Sequence, residues 1–382
     1  MRIGLITGEY PPMQGGVGAF TRELARALAE AGHTVRVLTD QQVQSRDEFG
    51  IQVSGHVTSW NRASLGQIQK WAKDNRLDIV NIQYEAAAFR MSQLIHFLPR
   101  WIADVPAVTT FHDLLVPYLF PKAGLLRFQA ILALVRGSAG VITTNRQDEQ
   151  RLIDNGIRHL CGIPIGSNIA VNLPPNYDRV AWRESLGIPG DAALVGYFGF
   201  MNASKGVDTL LAALNSLLQD GVNAHLLMIG GRTGASDPTN AHYADEIDGL
   251  IRQYRLADHI QWTGFVDGPH VSANLTACDV LALPYQDGVS LRRGSFMAAI
   301  AHGCAIVTTQ PQGDVPEVED RIHALLVPPG DSPALAIGLH EVLSSSDLRA
   351  VLNKNALRLA ADFTWDRIAK RTLDFFLEIV NV

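Results

Sequence analysis

Short apolar runs alternate with amphipathic helical patterns from one end of the chain to the other, and this alternation restricts the fold more than any other feature. The first example is an apolar run at Arg2–Thr7, a glycine-rich loop, a helical pattern at Val17–Ala31 and a second apolar run at Thr34–Leu38. Strands that alternate with helices in this way lie parallel in one sheet, with helices on both of its faces. The sequence therefore predicts an α/β fold built from doubly wound parallel sheets.

The alternating pattern occurs twice, because Pro174-Pro175 and the polar residues after them interrupt it. A chain of 382 residues is also too long for one ordinary hydrophobic core. We therefore predict two Rossmann-like domains, residues 1–171 and 172–364, with the amphipathic helix 365–382 completing the first. Ligands are expected at the carboxyl ends of the strands, in a cleft where the two sheets face each other. Further strands are predicted at Ile79–Ile82, Ala107–Phe111, Gly140–Thr143, Leu194–Phe198, Ala224–Ile229, Ile260–Thr263, Val280–Pro284, Ala305–Thr308 and Ala324–Val327, and further helices at Val207–Leu218 and Tyr243–Tyr254.

Composition argues against several functional classes. The chain is 47% hydrophobic and 18% charged, with a net charge of −6 and no basic run, so it gives no support for nucleic-acid binding. Its cysteines, Cys161, Cys278 and Cys304, are scattered and odd in number, which predicts neither a disulfide framework nor a metal site and fits a reducing compartment. The N-terminal apolar run is broken at Gly8, and no stretch reaches the ~20 apolar residues that span a bilayer. These features together indicate a cytoplasmic protein.

An NAD-linked dehydrogenase would contain the same kind of sheet, but it needs a Gly-x-Gly-x-x-Gly turn directly after a strand. The glycines after the first strand are instead Gly8, Gly15, Gly16 and Gly18, spread over a loop that contains Pro11-Pro12. The Gly-Lys-Ser/Thr ending of a phosphate-binding loop is missing from the sequence as well. The dehydrogenase interpretation is therefore disfavoured.

Two segments of the first domain carry candidate chemistry. Gly15 and Gly16 lie between a strand end and a helix start, where backbone N–H groups and the helix dipole favour a phosphate. A simple tight turn is the alternative. His112, next to Asp113, follows the predicted strand Ala107–Phe111, so it lies at the carboxyl end of a strand. A lone histidine is more often structural, but this position favours a functional role.

Two segments of the second domain carry positive charge. Lys205 follows that domain's first strand, where a point charge could neutralise a pyrophosphate, although a solvated surface lysine is the alternative. Arg292 and Arg293 lie at a helix start, where each opposes the helix dipole by roughly 0.3–1 kcal/mol unless it meets an anion. Arginine binds phosphate or carboxylate through a planar fork. An ion pair with a neighbouring Asp or Glu, or simple solvent exposure, stays open for both arginines.

Taken together and in this order along the chain, these segments resemble the family-4 retaining glycosyltransferases of the GT-B fold (glycosyl transferase group 1). The resemblance covers essentially the whole chain. The matching text is Glu9 to Gly18, His112, Ile163 to Asn168, Lys205-Gly206, Gly264-Phe265-Val266, Ala277-Cys278-Asp279-Val280, Pro316-Glu317-Val318 and Phe363-Thr364-Trp365. Each segment alone is a weak signal, whereas the whole set in the right order is a strong one.

The resemblance implies a retaining transfer from a nucleotide-sugar donor to a glycan, lipid or small-molecule acceptor, with no cofactor and no obligatory metal. It implies that the Gly15 and Gly16 amides and Lys205 stabilise phosphate charge, while His112 contacts the donor sugar near its 6-hydroxyl. The candidate catalytic residues are His112, Lys205 and Arg293, and the candidate donor-binding residues are Gly15, Gly16, Phe265, Asp287, Gly288, Val289, Ser290, Arg292 and Glu317. Because many relatives act on lipid acceptors, the apolar loop Leu115–Pro121 is a candidate for peripheral membrane contact, with a buried loop as the alternative.

Two departures from the family pattern concern the donor. The family has an arginine close after the glycine of the second domain's first strand, where this chain has Phe200. It also has two glutamates, at positions where this chain has Ser290 and Ala298, and Asp287 could replace the first of them only if the loop is longer. The neighbouring Ser-Leu-Arg-Arg-Gly text, whose arginines could replace the missing clamp, looks like a variant branch of the family. Two questions stay open: whether the donor is the usual UDP or GDP sugar, and whether the chain binds nucleotide-sugar or glycan without turnover.

Overall fold

The computed structural model describes residues 1–13, 15–114, 124–232 and 239–381, and for 124–127 and 239–241 it describes the backbone alone. The apolar loop Leu115–Pro121, the candidate for peripheral membrane contact, therefore lies outside the described residues. The chain divides into two compact units, which we call unit 1 (Met1–Gly166 with Phe363–Val382) and unit 2 (Ser167–Asp362).

Unit 1 is built on a sheet of eight strands within its described residues. The strands are β1 (Arg2–Thr7), β2 (Thr34–Asp40), β3 (Arg46–Glu48), β4 (Ile51–Val57), β5 (Ile79–Tyr84), β6 (Ala107–Phe111), β7 (Gly140–Thr143) and β8 (Leu160–Gly162). Their order is β3-β4-β2-β1-β5-β6-β7-β8, and all neighbours are parallel except β3 and β4. The strand order reverses between β1 and β5, which makes the carboxyl ends of these two strands the topological switch point of unit 1.

Helices cover both faces of this sheet. They are α1 (Gly16–Glu30), α2 (Arg62–Asp74), α3 (Leu98–Trp101), α4 (Gly124–Gly137), α5 (Arg146–Asp154) and α13 (Trp365–Val380). Side chains alternate along each strand, so Leu5 packs into a core with α1 and α13, while Ile6 packs into a second core with α2, α4 and α5. The final helix of the chain is therefore part of the core of unit 1.

Unit 2 contains a second parallel sheet, of six strands within the part of the chain that is described. The strands are β9 (Ala193–Phe198), β10 (Ala224–Ile229), β11 (Ile260–Gly264), β12 (Val280–Leu283), β13 (Ile306–Thr309) and β14 (Leu325–Val327). Their order is β11-β10-β9-β12-β13-β14, with every neighbouring pair parallel. The order reverses between β9 and β12, and this places the switch point of unit 2 at the carboxyl ends of those two strands.

The helices of unit 2 complete its doubly wound architecture. They are α6 (Arg179–Ser185), α7 (Val207–Gln219), α8 (Thr239–Tyr254), α9 (Gly268–Ala277), α10 (Gly294–Ala301), α11 (Ser332–Ser344) and α12 (Ser346–Ala360). Buried residues of α7, α8, α11 and α12 form one continuous core with the sheet. The strands predicted from the sequence are confirmed, and each begins and ends within two residues of its predicted bounds. No described helix combines the length and the apolar character that crossing a membrane requires.

Replacement of Phe376 with alanine is predicted to destabilise unit 1. The Phe376 side chain is fully buried, and truncation of a buried Phe costs about 3–5 kcal/mol of unfolding free energy because it leaves a cavity. Leu377→Ala is the matched control, since Leu377 follows it on the same helix and is 44% exposed. The control should change the free energy of unfolding by less than about 0.5 kcal/mol. Denaturant unfolding combined with hydrogen exchange of unit 1 amides measures the free energy of unfolding of both variants. Equal losses of stability in Phe376→Ala and Leu377→Ala would contradict the packing of α13 into this core.

Candidate functional site

The switch point of unit 2 brings together the residues that the sequence analysis identified as cationic candidates. Lys205 lies in the loop after β9, at the end of a short 3-10 turn Ala203–Lys205, directly before α7. Arg293 lies in the loop after β12 and is the N-cap residue of α10. Because β9 and β12 are neighbours in the sheet, their carboxyl ends lie side by side. The loops from both strands therefore build one site.

The two loops are locked to each other by their backbones. Gly206 has a φ of 66°, and a Cβ there would lie 2.1 Å from the carbonyl oxygen of Pro284, so only glycine fits this close approach. The backbone N–H of Gln286 donates to the carbonyl of Ser204 over 2.9 Å. Lys205 is consequently held between two residues that are fixed against the loop after β12.

Two cations approach the ring of Tyr285. The Lys205 Nζ is 5.3 Å and the Arg293 Cζ is 4.8 Å from the ring centroid, both within the range of cation–π attraction. The Tyr285 hydroxyl and the Ser295 Oγ hydrogen-bond over 2.7 Å, which fixes the ring orientation. Arg293 also forms an ion pair with Asp287. The ion pair that the sequence analysis held open for the arginines is thus present at Arg293.

The positive charge of this site is only partly compensated. Burial, and then the neighbouring Arg293, lower the pKa of Lys205 to about 8, while Asp287 opposes this shift. Within the described residues, the Arg293 Nε and the Ser290 Oγ are buried without a hydrogen-bond partner. Buried polar groups are normally hydrogen-bonded. Two cations, two unpaired donors and one carboxylate together make a site that attracts a further anion.

The remaining donor-side candidates lie on loops at the same edge of the sheet. Gly288 has a φ of 77° and packs against the backbone of Gln310, which holds the loop close to β13. Val289 is buried, and its N–H donates to Thr309. Phe265 follows β11 and is 70% exposed, which leaves its ring face accessible. The other two candidates, Arg292 and Glu317, lie in the loops after β12 and β13.

A carboxylate of the chain itself lies at the N-terminus of α1 in unit 1. The Glu9 Oε1 accepts a hydrogen bond of 3.0 Å from the Gly18 N–H. A Cβ at Gly15, the N-cap residue of α1, would lie 2.1 Å from the Glu9 carboxylate. This carboxylate thus occupies the space beside the loop whose Gly15 and Gly16 amides the sequence analysis assigned to a phosphate. An anion at a helix N-terminus is electrostatically favourable.

His112 lies at the carboxyl end of β6, as the sequence predicts, beneath helix α1. Its Nε2 is 2.8 Å from the Gln83 Oε1. The Phe20 ring of α1 meets the imidazole edge-on, with the ring centroids 4.7 Å apart. Burial lowers the pKa of His112 to about 3, so the ring is neutral at physiological pH.

Glu85, which follows β5 at the switch point of unit 1, was not among the site residues predicted from the sequence. Burial raises the pKa of this carboxyl to about 7, and Glu9 and Asp113 add to the shift. Its sequence signal is weak, because Glu85 simply follows an apolar run. Among the described residues, no three His, Cys, Asp or Glu side chains form a group that could hold a metal ion.

Two family models match the chain, one in each half. The model described as "Glycosyltransferase Family 4" matches residues 14–169, and the model described as "Glycosyl transferases group 1" matches residues 178–358. The phosphatidyl-myo-inositol mannosyltransferase of Mycolicibacterium smegmatis is 25% identical over 98% of this chain and 92% of its own length. The D-inositol 3-phosphate glycosyltransferase of Xylanimonas cellulosilytica is 25% identical over 95% of this chain and 92% of its own.

Solved structures have the same fold. Sucrose-phosphate synthase from Thermosynechococcus elongatus aligns with a TM-score of 0.79 at 22% identity, covering 100% of this chain and 99% of its own. The Anabaena protein HepE, solved in complex with UDP and glucose, aligns with a TM-score of 0.77 at 18% identity, covering 99% and 100%. The predicted fold class is confirmed: the chain has two parallel-sheet α/β domains of the GT-B type.

The pKa of Lys205 is predicted to respond in opposite directions to the two charges beside it. Removal of the guanidinium in Arg293→Gln should raise this pKa above about 8, and removal of the carboxylate in Asp287→Asn should lower it. The ¹³C resonance of the Lys205 ε-methylene, assigned by its loss in Lys205→Arg, reports the titration. Lys370, whose side chain is 75% exposed, is the internal reference. Shifts of the same sign in both variants would contradict the site geometry.

Proposed function

This chain carries a glycosyltransferase family 4 domain followed by a glycosyltransferase group 1 domain and is a glycosyltransferase; we propose that it transfers a sugar with retention of anomeric configuration. The proposed donor is a nucleotide-sugar, and the proposed acceptor is a hydroxyl group of a glycan, a lipid or a small molecule. The relative that was solved with UDP and glucose supports this class of donor.

The observation that carries the proposal is the pair of cations on the Tyr285 ring. Lys205 and Arg293 approach this ring from the neighbouring strands β9 and β12, at the switch point where open α/β sheets bind ligands. A nucleoside diphosphate is the leaving group of such a transfer, and its negative charge grows as the bond to the sugar breaks. Preorganised cations in a partly buried site stabilise that charge without reorganising.

The two cations have different tasks in this proposal. Lys205 supplies a compact point charge, whereas Arg293 supplies a planar guanidinium. One terminal nitrogen of that guanidinium pairs with Asp287, and its Nε has no hydrogen-bond partner among the described residues. A diphosphate oxygen could accept hydrogen bonds from this Nε and from the Ser290 hydroxyl, which is also unpaired. The site would therefore bind the diphosphate through groups whose hydrogen bonds are not yet made.

The proposed step needs no protein nucleophile. The bond between the sugar C1 and the phosphate oxygen breaks while the acceptor oxygen bonds to C1 from the same face. The acceptor proton passes to the leaving phosphate oxygen. His112 is neutral and has a pKa of about 3, so its contribution in this scheme is hydrogen bonding to the sugar rather than proton transfer.

Loss of either cation is predicted to reduce turnover with the fold intact. Lys205→Met and Arg293→Met should each lower nucleotide release from the productive donor, found in a panel of UDP-, GDP- and ADP-sugars, by at least roughly tenfold. Lys370→Met is the matched control because that lysine lies on α13 and is 75% exposed, and it should leave turnover unchanged. Nucleotide binding without turnover on any donor would contradict the transferase proposal. Full activity in both site variants would contradict the role of the cations.

Nucleotide affinity is predicted to fall as pH rises through about 8. Lys205 is charged below its pKa of about 8 and neutral above it, whereas phosphate groups are fully ionised well below that pH. The dissociation constant of the nucleotide product should therefore rise by up to about tenfold per pH unit above the pKa of the free protein. Lys205→Arg should abolish this dependence, since arginine stays charged. A flat wild-type profile across pH 7–10, measured by calorimetry, would contradict the assignment.

A further inference from the structure

Asn81, Gln83 and Thr110 form a buried, hydrogen-bonded polar cluster inside the sheet of unit 1. Asn81 and Gln83 alternate on β5, and Thr110 lies beside them on the neighbouring strand β6. Alternation places Asn81 and Gln83 on the same face as Ile79, which packs into the core with α1 and α13. Central strands of parallel sheets are normally apolar on both faces. Two primary amides at this position therefore indicate a requirement other than packing.

A backbone carbonyl determines the orientation of both amides. The Val108 carbonyl can only accept, so the group of Asn81 that lies 3.2 Å from it must be the Nδ2. That nitrogen also donates to the Thr110 Oγ1 over 2.9 Å. The Asn81 Oδ1 then accepts from the Gln83 Nε2. The Gln83 Oε1 is consequently turned towards His112, and the His112 Nε2, 2.8 Å away, must carry a hydrogen.

The neutral imidazole then has one hydrogen-bonding nitrogen left. A neutral histidine with its hydrogen on Nε2 has a bare Nδ1, which only accepts hydrogen bonds. Among the described residues, the Nδ1 of His112 has no hydrogen-bond partner in this chain. The edge-on contact with Phe20 limits rotation of the ring. At this edge of the sheet the described residues include the carboxyl groups of Glu9 and Asp113, both of which act electrostatically on Glu85.

We propose that Gln83 is a positioning residue: it fixes His112 as the Nε2–H tautomer, so that Nδ1 is presented as an acceptor for a hydroxyl group of the sugar substrate. This inference rests on the proposed function. It also defines a specificity, because a lone pair accepts from a hydroxyl but repels a carboxylate. The site therefore takes a hexose in preference to the corresponding hexuronate.

Nitrogen NMR of the full-length protein tests the tautomer directly. In ¹⁵N-histidine-labelled protein, two-bond ¹H–¹⁵N spectra should show His112 with a protonated Nε2 and a bare Nδ1 from pH 5 to 8. His112→Asn identifies its signals among those of the 12 histidines. A protonated Nδ1, or a doubly protonated ring within this pH range, would overturn the proposal. This measurement needs no turnover, so it is independent of whether the chain is an active transferase.

Gln83→Leu separates positioning from simple packing. Leucine removes the acceptor for Nε2–H, so both tautomers of His112 should appear in the NMR spectrum. The kcat/KM for the productive nucleotide-hexose should fall by at least about tenfold, mainly through KM, because a hydroxyl loses its hydrogen-bond acceptor. Thr109→Val is the matched control: it removes the part-buried hydrogen bond between Thr109, on the neighbouring strand β6, and Ser138 without removing a partner of His112. An unchanged tautomer in Gln83→Leu, or an equal loss of kcat/KM in the control, would overturn the positioning role.

Gln83→Glu provides a second variant in case the leucine variant fails to fold. A carboxylate still accepts from Nε2–H, but it also stabilises the imidazolium and so raises the pKa of His112. Protonation of Nδ1 removes the acceptor, so kcat/KM of this variant should fall as pH decreases through the raised pKa, while wild type shows no such inflection. A profile that matches wild type would overturn the proposal. If His112 is the Nε2–H tautomer but the protein has no turnover, the positioning role of Gln83 stands and only the proposed function is contradicted.

Discussion

Both sheets are covered by helices on both faces, and this burial confines most of the polar chemistry to the loops beyond the carboxyl ends of the strands. Water cannot reach the interior strands, so an unpaired polar group there would lose its hydration without replacement. The reversal of strand order in each unit then concentrates the outgoing loops at one place, between β1 and β5 or between β9 and β12. Lys205 and Arg293 come from widely separated parts of the sequence, and they share one aromatic ring because the sheet makes their strands neighbours.

The two switch points carry charges of opposite sign. In unit 2, Lys205 and Arg293 share one carboxylate, and burial of Lys205 costs enough to lower its pKa to about 8. In unit 1, Glu9 and Asp113 help to raise the pKa of Glu85 to about 7. A diphosphate is electrostatically favoured at the first and disfavoured at the second while the carboxylates are ionised. The Glu9 carboxylate lies beside Gly15 at the start of α1, so a phosphate bound by the Gly15 and Gly16 amides would lie close to a group of like charge.

Periodicity was sufficient to predict the strands, because each is a short apolar run bounded by glycine, proline or polar residues. It could not predict β3 and β4, because β3 has no buried residue and the alternation of burial along β4 is interrupted between Val53 and Val57. For the candidate site, the predicted strands were enough to place Lys205 and His112 in the loops at the carboxyl ends of β9 and β6. The contact of both cations with Tyr285 could not be predicted, since it depends on which strands are neighbours. Glu85 was missed because its unusual pKa comes from burial and from Glu9 and Asp113, which are distant in sequence.

The burial of α10 gives a physical reason why the donor loop of this chain departs from the pattern it resembles. Ala298 is fully buried, and so are the residues on either side of it, Met297 and Ala299. A glutamate at position 298 would bring an ionised group into this apolar packing, where it would need a partner to offset the lost hydration. The polar groups of the loop instead lie before the helix, where Ser290 and Arg293 have unpaired hydrogen-bonding atoms. In the function proposed above, recognition of the donor would therefore rest on the cationic start of α10 rather than on a carboxylate within the helix.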